Sequence, residues 1–337
     1  MTTTLEQTAQ PSIPDSPRAM DRRVHGSDRV FHITARTIGL TVLLLTGSIG
    51  LFLGWQSVPT FQRYGLSFLT TSAWQPEHDQ VGILAVLVGT VTVAGIAMII
   101  SFPLALATAL FISEYTSGRV KSLLVALVDL MAAVPSIVYG LWGFFLLQPQ
   151  AINVSRWLHQ HLGWIPIFQV DTDPNAAVWA QSRYTASAFI AGIVVAMMVI
   201  PLACAVMRGV FDMAPLGERE AAYALGSTKW GMVRSVVLPF GRGGIIGGNM
   251  LALGRALGET VAVLLIISPA FDLKLRPLEV GTETVSALIA GRFGEATAAQ
   301  LSALMTAGFV LFVITLTTNT IAAAFVSSSR SGAGTDA

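Results

Sequence analysis

The hydrophobic positions of the chain are grouped into six long segments, which polar linkers separate. The segments cover about 33–55, 79–114, 122–147, 185–210, 243–269 and 299–326. About 20 apolar residues in a helix cross the hydrocarbon core of a bilayer, so each segment is long enough to span a membrane. The pattern therefore predicts an all-α fold, a polytopic transmembrane helical bundle of about six spans.

Prolines and polar residues interrupt several of these segments. The second segment carries no charge between Asp79 and Glu114 and is too short for two spans, so we expect one long helix with a kink at Pro103 and one end outside the bilayer core. In the third, Pro135 predicts a break that either shapes a path or only kinks the packing. Asp129 of the same segment is expected to pair with Arg119, Lys121 or a basic residue of the linker between the fourth and fifth segments, in a structural role.

Composition supports the membrane interpretation. Hydrophobic residues make up 53% of the 337-residue chain and charged residues only 12%, against about 25% charged in a typical soluble domain. The net charge of +1 indicates no nucleic-acid partner. The single cysteine, Cys204, lies in an apolar run and is interpreted as an inert buried thiol.

The two ends of the chain have a different composition. Residues 1–32 and 328–337 are predicted to be disordered tails, flanking a transmembrane domain at 33–327. Six spans place both termini on one side of the membrane. Lysine and arginine are more frequent in the linkers on that side, so we expect both termini to be cytoplasmic.

The inventory of reactive residues argues against an enzyme. The chain has no Walker A sequence, so it does not bind ATP as P-loop proteins do. Its histidines lie in the N-terminal tail or in predicted outer loops, and we expect no metal site and no cofactor. The glycine-dense stretch GRGGIIGG at 241–248 enters an apolar helix, where small residues favour close helix packing over a phosphate cradle.

One polar stretch, EREAAYALGSTKWGMVRSVVLP at 218–239, lies between the fourth and fifth segments. Gly226 predicts the end of one short helix, Ser227 or Thr228 the cap of a second, and Pro239 the end of the unit. Ala221 and Ala222 leave a flat patch that another protein could approach closely. Local features alone favour an ordinary interfacial connector between two spans over such a docking patch.

The spacing within this stretch resembles the "EAA" loop of ABC importer permeases, whose pattern is E-A-A, three residues, G, nine residues, I, one residue, L-P. Val236 replaces the isoleucine. The matching positions are Glu220, Ala221, Ala222, Gly226, Leu238 and Pro239. The resemblance implies a type I ABC importer permease fold, with a cytoplasmic coupling loop at 214–240 that docks on a separate ATPase subunit.

Two further stretches, AAVPSIVYGLWG at 132–143 and GRALGETVAVLLI at 254–266, resemble permeases of phosphate-specific ABC importers, of the PstC type. The resemblance covers about 35–326. It implies a bacterial inner-membrane protein that works with a paralogous permease in a heterodimer, two ABC ATPase subunits and an extracytoplasmic phosphate-binding protein. The outer loops 148–184 and 270–298 are candidates for docking that binding protein.

The fifth segment carries the candidate chemistry. Arg255 and Glu259 lie far from either end of an apolar run, where charges are costly and usually line a wet path or a bundle interior. Being four residues apart, they share one helix face and can pair. The forked guanidinium of arginine suits an oxyanion, so we expect Arg255 to bind phosphate and Glu259 to hold the guanidinium in place. The alternative is that the two residues form a structural ion pair. Thr260 adds a hydroxyl to this path, or bonds to its own helix.

Two other functions fit the same residues. One is a permease for another oxyanion, such as molybdate or sulfate. The other is a stand-alone secondary anion transporter that uses Arg255 and Glu259 as its substrate or proton site. The coupling loop favours an ABC permease, because a secondary transporter has no use for a small-residue docking helix.

Overall fold

The computed structural model describes residues 26–170 and 182–328. This part of the chain is helical apart from loops and one short antiparallel ribbon, which pairs β1 (Trp74–Gln75) with β2 (Gln80–Val81). The helical bundle predicted from the hydrophobic segments is therefore confirmed. Most of the predicted N-terminal tail and nearly all of the predicted C-terminal tail lie outside the described residues.

From residue 26 to residue 170, the chain forms six helices. They are α1 (Gly26–Tyr64), α2 (Ser67–Thr70), α3 (Leu84–Leu110), α4 (Gly118–Ala133), α5 (Ser136–Trp142) and α6 (Gln148–Leu162). A π-turn, Phe111–Tyr115, extends α3, and a second, Gly143–Leu147, joins α5 to α6. Short 3₁₀ turns cover Pro76–His78, Pro166–Phe168 and Ser182–Tyr184.

In the described part of the second half, two long helices, α7 (Ala188–Asp212) and the last helix, enclose a series of shorter ones. The shorter ones are α8 (Leu216–Ala224), α9 (Lys229–Met232), α10 (Leu238–Phe240), α11 (Arg242–Leu257), α12 (Val261–Ile266) and α13 (Val285–Arg292), and the last helix is α14 (Ala298–Ser328). A π-turn, Val233–Val237, joins α9 to α10, and a 3₁₀ turn, Phe293–Glu295, follows α13.

The chain divides into two compact units, Met1–Ile49 and Gly50–Ala337. The described part of the first unit is the N-terminal portion of α1, whose side chains from Arg29 to Ile49 are all exposed. Since α1 begins at Gly26, residues 26–32 are helical and do not belong to the tail predicted up to residue 32.

Four of the described helical segments are long and apolar enough to cross a membrane: Arg29–Tyr64, Leu84–Tyr115, Ala188–Asp212 and Ala298–Ala324. Two bent pairs, Gly118–Ala133 with Ser136–Leu162 and Lys229–Phe240 with Arg242–Leu257, raise the number to six if each pair is one span. The second segment is one continuous helical stretch across Pro103, as predicted.

The core of the second unit is built on α3 and α7, which pack side by side, with α11 against both and α14 against α11. Small buried side chains line the contact, among them Ala94, Ala97, Ala191, Ala203 and Cys204. Small residues allow helix backbones to approach closely, which drives helix association in a membrane. The predicted role of GRGGIIGG agrees with this, because a Cβ on Gly244 would lie 2.5 Å from Val210 Cβ of α7.

Two interruptions shape the rest of the bundle. The predicted break at Pro135 is present, and the two helical segments on either side of it are bent by 90°. The predicted fifth span, in contrast, is not one helix: α11 ends at Leu257 and α12 begins at Val261. Gly258 and the capping carboxylate of Glu259 account for this second break, because they end one helix and start the next.

Candidate functional site

The polar stretch between α7 and α11 forms the compact helical unit that the sequence predicts. Helix α8 ends at Ala224, and Gly226, two residues later, has a φ of +82°, a left-handed conformation that suits glycine. Ser227 N donates to Ala222 O at 3.1 Å and closes that end. Thr228 Oγ1 accepts from Gly231 N at 3.1 Å and caps α9. Pro239 lies within α10, and the chain turns at Gly241, two residues later than predicted.

The two alanines of this unit have different environments. Ala221 is exposed, whereas Ala222 is only 8% exposed and belongs to the hydrophobic core of the chain. Of the two alanines predicted to form the flat patch, only Ala221 is therefore at the surface, where it lies next to the exposed Glu220. One helix cannot present adjacent residues to the same side, since they are about 100° apart around the axis.

The face of this unit that points away from the helical bundle is unusually apolar for a polar linker. Large side chains are exposed there: Met213, Leu216, Tyr223, Leu225 and Trp230. Leu225, the most exposed of them, has 88% of its surface accessible. A group of exposed apolar side chains of this kind typically marks a protein interaction site.

The inner face of α8 is joined to the ends of α3 and α7 by charged groups. Arg219 forms a two-point contact with Glu114, with Nη2–Oε1 and Nη1–Oε2 distances of 3.1 and 3.2 Å. Arg219 Nη2 also donates to Phe211 O at 2.6 Å. Sequence reasoning missed Glu114 and Arg219, because they are 105 residues apart and follow no motif.

Asp129 pairs with a partner other than those predicted. Its carboxylate lies 3.5 Å from Arg208 Nη2 of α7, not beside Arg119, Lys121 or a base of the loop. Lys121 instead contacts Asp212 Oδ1 at 2.8 Å. The predicted structural role of Asp129 thus fits, but the packing of α4 against α7 selects its partner.

Arg255 lies in the last turn of α11, where a positive charge complements the helix dipole. Its side chain is exposed and lines a groove of about 1190 Å³ between α11 and α14. The groove is mainly apolar, and its other polar side chains are Thr315 and Asn319 of α14. Within residues 26–170 and 182–328, Arg255 forms no salt bridge or hydrogen bond.

Glu259 does not pair with Arg255 in the structure, which corrects the expectation based on a continuous helix. Glu259 is only 8% exposed, and its Oε1 accepts from Ala262 N at 3.1 Å at the start of α12. Thr260 Oγ1 donates to Gly258 O at 3.2 Å, so its hydroxyl is engaged by the local backbone. The break after Leu257 separates the two side chains, which in one helix would have shared a face.

Comparison with known proteins identifies the family of this chain. The family described as "Binding-protein-dependent transport system inner membrane component" matches residues 101–331. The chain belongs to this family. The matched region includes the α8–α10 unit, Arg255 and all of α14, so both candidate sites lie within the part that the family model matches.

Three relatives that the chain matches over most of its length are named as phosphate transport system permease proteins. The "Phosphate transport system permease protein PstC" of Xylella fastidiosa strain Temecula1 is 36% identical over 319 residues, covering 94% of this chain and 96% of the relative. The protein of that name from Mesorhizobium japonicum is 38% identical over 313 residues, covering 92% and 93%. "Phosphate transport system permease protein PstC 2" of Mycobacterium tuberculosis is 35% identical over 319 residues, covering 93% and 96%.

The predicted resemblance to PstC-type permeases is therefore confirmed, as is the type I importer permease class. One chain of a solved bacterial ABC transporter, "involved in the import of the acidic polysaccharide alginate", covers 89% of this chain with a TM-score of 0.48 and 19% identity. That similarity is too distant to assign the fold, which rests on the family and on the helices described above.

Proposed function

We propose that this chain is one permease subunit of an ATP-driven importer of inorganic phosphate. It forms half of the translocation path and is not itself an enzyme, since a separate ABC ATPase hydrolyses the ATP. The names of its relatives, at 35–38% identity over most of the chain, support phosphate as the substrate. The EAA-like spacing of Glu220, Ala221, Ala222, Gly226, Leu238 and Pro239 supports coupling to that ATPase.

The observation that carries the path is the exposure of Arg255 to the groove between α11 and α14. A charge within the bilayer costs about 2.5–3.5 kcal/mol or more, so an arginine exposed to lipid alone is unfavourable. Facing a wet path, the same side chain can grip a tetrahedral oxyanion through two N–H donors. In this proposal Arg255 meets phosphate directly.

Glu259 and Thr260 belong to the path as positioning groups. Glu259 caps α12 immediately after the helix that carries Arg255, so it fixes where the chain breaks and where the guanidinium is held. Thr260 is tied to Gly258 within the same break. Glu259 is thereby engaged by the start of α12 and leaves the arginine side chain unpaired within the described residues.

The partners follow from the same proposal. A paralogous permease completes the path as a heterodimer, two ABC ATPase subunits bind the exposed apolar face of the α8–α10 unit, and an extracytoplasmic binding protein delivers phosphate. Both termini are cytoplasmic in a bacterial inner membrane. The basic residues of the α8–α10 unit agree with an inward-facing position; they are Arg219, Lys229 and Arg234.

Phosphate uptake by the reconstituted complex in vesicles tests this function. Arg255→Gln and Arg255→Lys should reduce ATP-dependent uptake about tenfold or more, since a charged hydrogen bond of roughly 1.5–3 kcal/mol is lost or weakened. Arg119→Gln, which removes an exposed arginine at the start of α4, is the matched control and should transport normally.

Three results contradict the proposal. Normal uptake by both Arg255 variants removes this residue from the path. Uptake of sulfate or molybdate in place of phosphate assigns another oxyanion. Uptake by the chain without ATP and without an ATPase subunit points to a secondary transporter.

A further inference from the structure

The strongest unassigned feature is the buried attachment of α8 to the ends of α3 and α7. The Glu114 side chain is 3% exposed and that of Arg219 18% exposed. Both carboxylate oxygens of Glu114 face a guanidinium nitrogen, and the same guanidinium holds Phe211 O. This geometry fixes α8 in direction as well as in distance, because a planar fork with two parallel contacts resists rotation.

A second set of contacts ties the neighbouring helix ends to this pair. Ser113 Oγ lies 2.8 Å from Asp212 Oδ1 and 3.1 Å from Glu114 Oε1, so it bridges the two carboxylates. Asp212 also binds Lys121 of α4. The end of α3, the start of α4, the end of α7 and helix α8 are thus joined by one polar network.

Few other polar contacts attach α8 to the bundle. In the described part of the chain, Arg219 is the only side chain of α8 that hydrogen-bonds to another helix. A nine-residue helix is marginal by itself in water, so its position depends on tertiary contacts. Those contacts are the buried Ala222 and the Arg219–Glu114 pair on the inner face.

We propose that Arg219 and Glu114 form the joint through which movement of α8 is passed to α3 and α7; this rests on the proposed coupling to an ATPase. A force applied to the exposed face of α8 reaches the two central helices of the core through this fork. Both residues act as positioning residues, since neither touches substrate or nucleotide. The joint is rigid because separating the pair would leave a buried carboxylate without its partner, which is strongly destabilising.

The variants separate a joint from a simple stability contact. Arg219→Gln or Glu114→Gln leaves one buried group unpaired and can impair folding. The double variant Glu114→Gln with Arg219→Gln leaves no charge behind, so it is expected to assemble while still lacking the fork. Arg219→Lys keeps the charge and loses the two-point contact, and Arg119→Gln is the matched control.

The complete complex is reconstituted in vesicles, and phosphate uptake and binding-protein-stimulated ATP hydrolysis are measured together. We expect the double variant to assemble and hydrolyse ATP, with phosphate transported per ATP reduced at least about fivefold, the lower end of typical coupling between two sites. Arg219→Lys should give an intermediate ratio, and Arg119→Gln the wild-type ratio.

A wild-type ratio in the double variant overturns the joint, whether or not the single variants fold, because it shows the pair to be a stability contact only. This result is distinct from failure of the proposed function. In that case the wild-type complex itself imports no phosphate.

Discussion

The Tyr139 hydroxyl donates to Met131 O at 2.9 Å, across the break between α4 and α5. Proline at position 135 cannot donate a backbone hydrogen bond, so carbonyls of the preceding turn lose their helical partners. Non-helical backbone in a membrane protein is tolerated where such groups are satisfied again. Tyr139 thus gives Met131 O a donor in place of the amide hydrogen that proline lacks, in addition to Val134 N at 3.3 Å.

Removing the Tyr139 hydroxyl should lower the stability of the folded chain. Tyr139→Phe leaves Met131 O with only the 3.3 Å hydrogen bond from Val134 N, and we expect a loss of about 0.5–1.5 kcal/mol in unfolding free energy. Thermal unfolding of the purified chain in detergent measures it. Tyr223→Phe is the control, because Tyr223 is exposed and makes no hydrogen bond in the described region; equal melting of the two variants contradicts the assignment.

The contact of α11 with α7 should tolerate no side chain at Gly244. The Cβ of Gly244→Ala would lie 2.5 Å from Val210 Cβ, so the helices must separate, at about 1–3 kcal/mol for overpacking. Gly247→Ala on the same helix meets no atom within 4 Å and should be neutral or stabilising. Melting temperatures in detergent compare the two, and a stable Gly244→Ala protein refutes the close contact.

The two alanines of α8 should respond differently to enlargement. Ala222→Leu adds bulk to the core, so it should lower the unfolding free energy by about 1–3 kcal/mol. The melting temperature of the chain should fall accordingly. Ala221→Leu should leave the chain stable and reduce its co-purification with the ATPase subunit. If Ala221→Leu binds that subunit normally, the exposed face near Ala221 is not the docking surface.

Stability should also depend on pH through Glu283, in the loop before α13. Glu283 is only 3% exposed, and this burial raises the pKa of its carboxyl from 4.5 to about 7. The hydrogen bond that Thr284 N donates to the carboxylate acts in the opposite direction but is the smaller effect. The folded state therefore binds this proton more tightly than the unfolded chain. The resulting stability is fully present below pH 4.5 and is lost as pH rises towards 7.

We expect Glu283→Gln to be more stable than wild type at pH 8, by on the order of 3 kcal/mol. The two proteins should differ less at pH 5, because the wild-type carboxyl is then largely protonated in the fold. Thermal unfolding of both proteins across this range measures the difference. A difference that does not change with pH excludes titration of Glu283 as its source.

Features that depend on neighbours in the chain were predictable from sequence. Apolar runs of span length, the break at Pro135, the end of α8 just before Gly226 and the cap at Thr228 all follow from local backbone chemistry, and the structure agrees. The EAA-like spacing also indicated the family, because a motif is itself a local pattern. The bounds of the fifth span were wrong at Gly258–Thr260, where one turn of helix is lost within an apolar run.

Which charges meet was decided by the tertiary structure. Arg208, not a nearby base, pairs with Asp129, and Glu114 reaches Arg219 across 105 positions in the sequence. Long side chains at helix ends have several partners within reach, and only the packing of the helices selects one. By itself the sequence determined which segments are helical and apolar; helix packing alone determined that Ala222 is buried, that Arg255 faces an open groove, and that α8 is held by a buried ion pair.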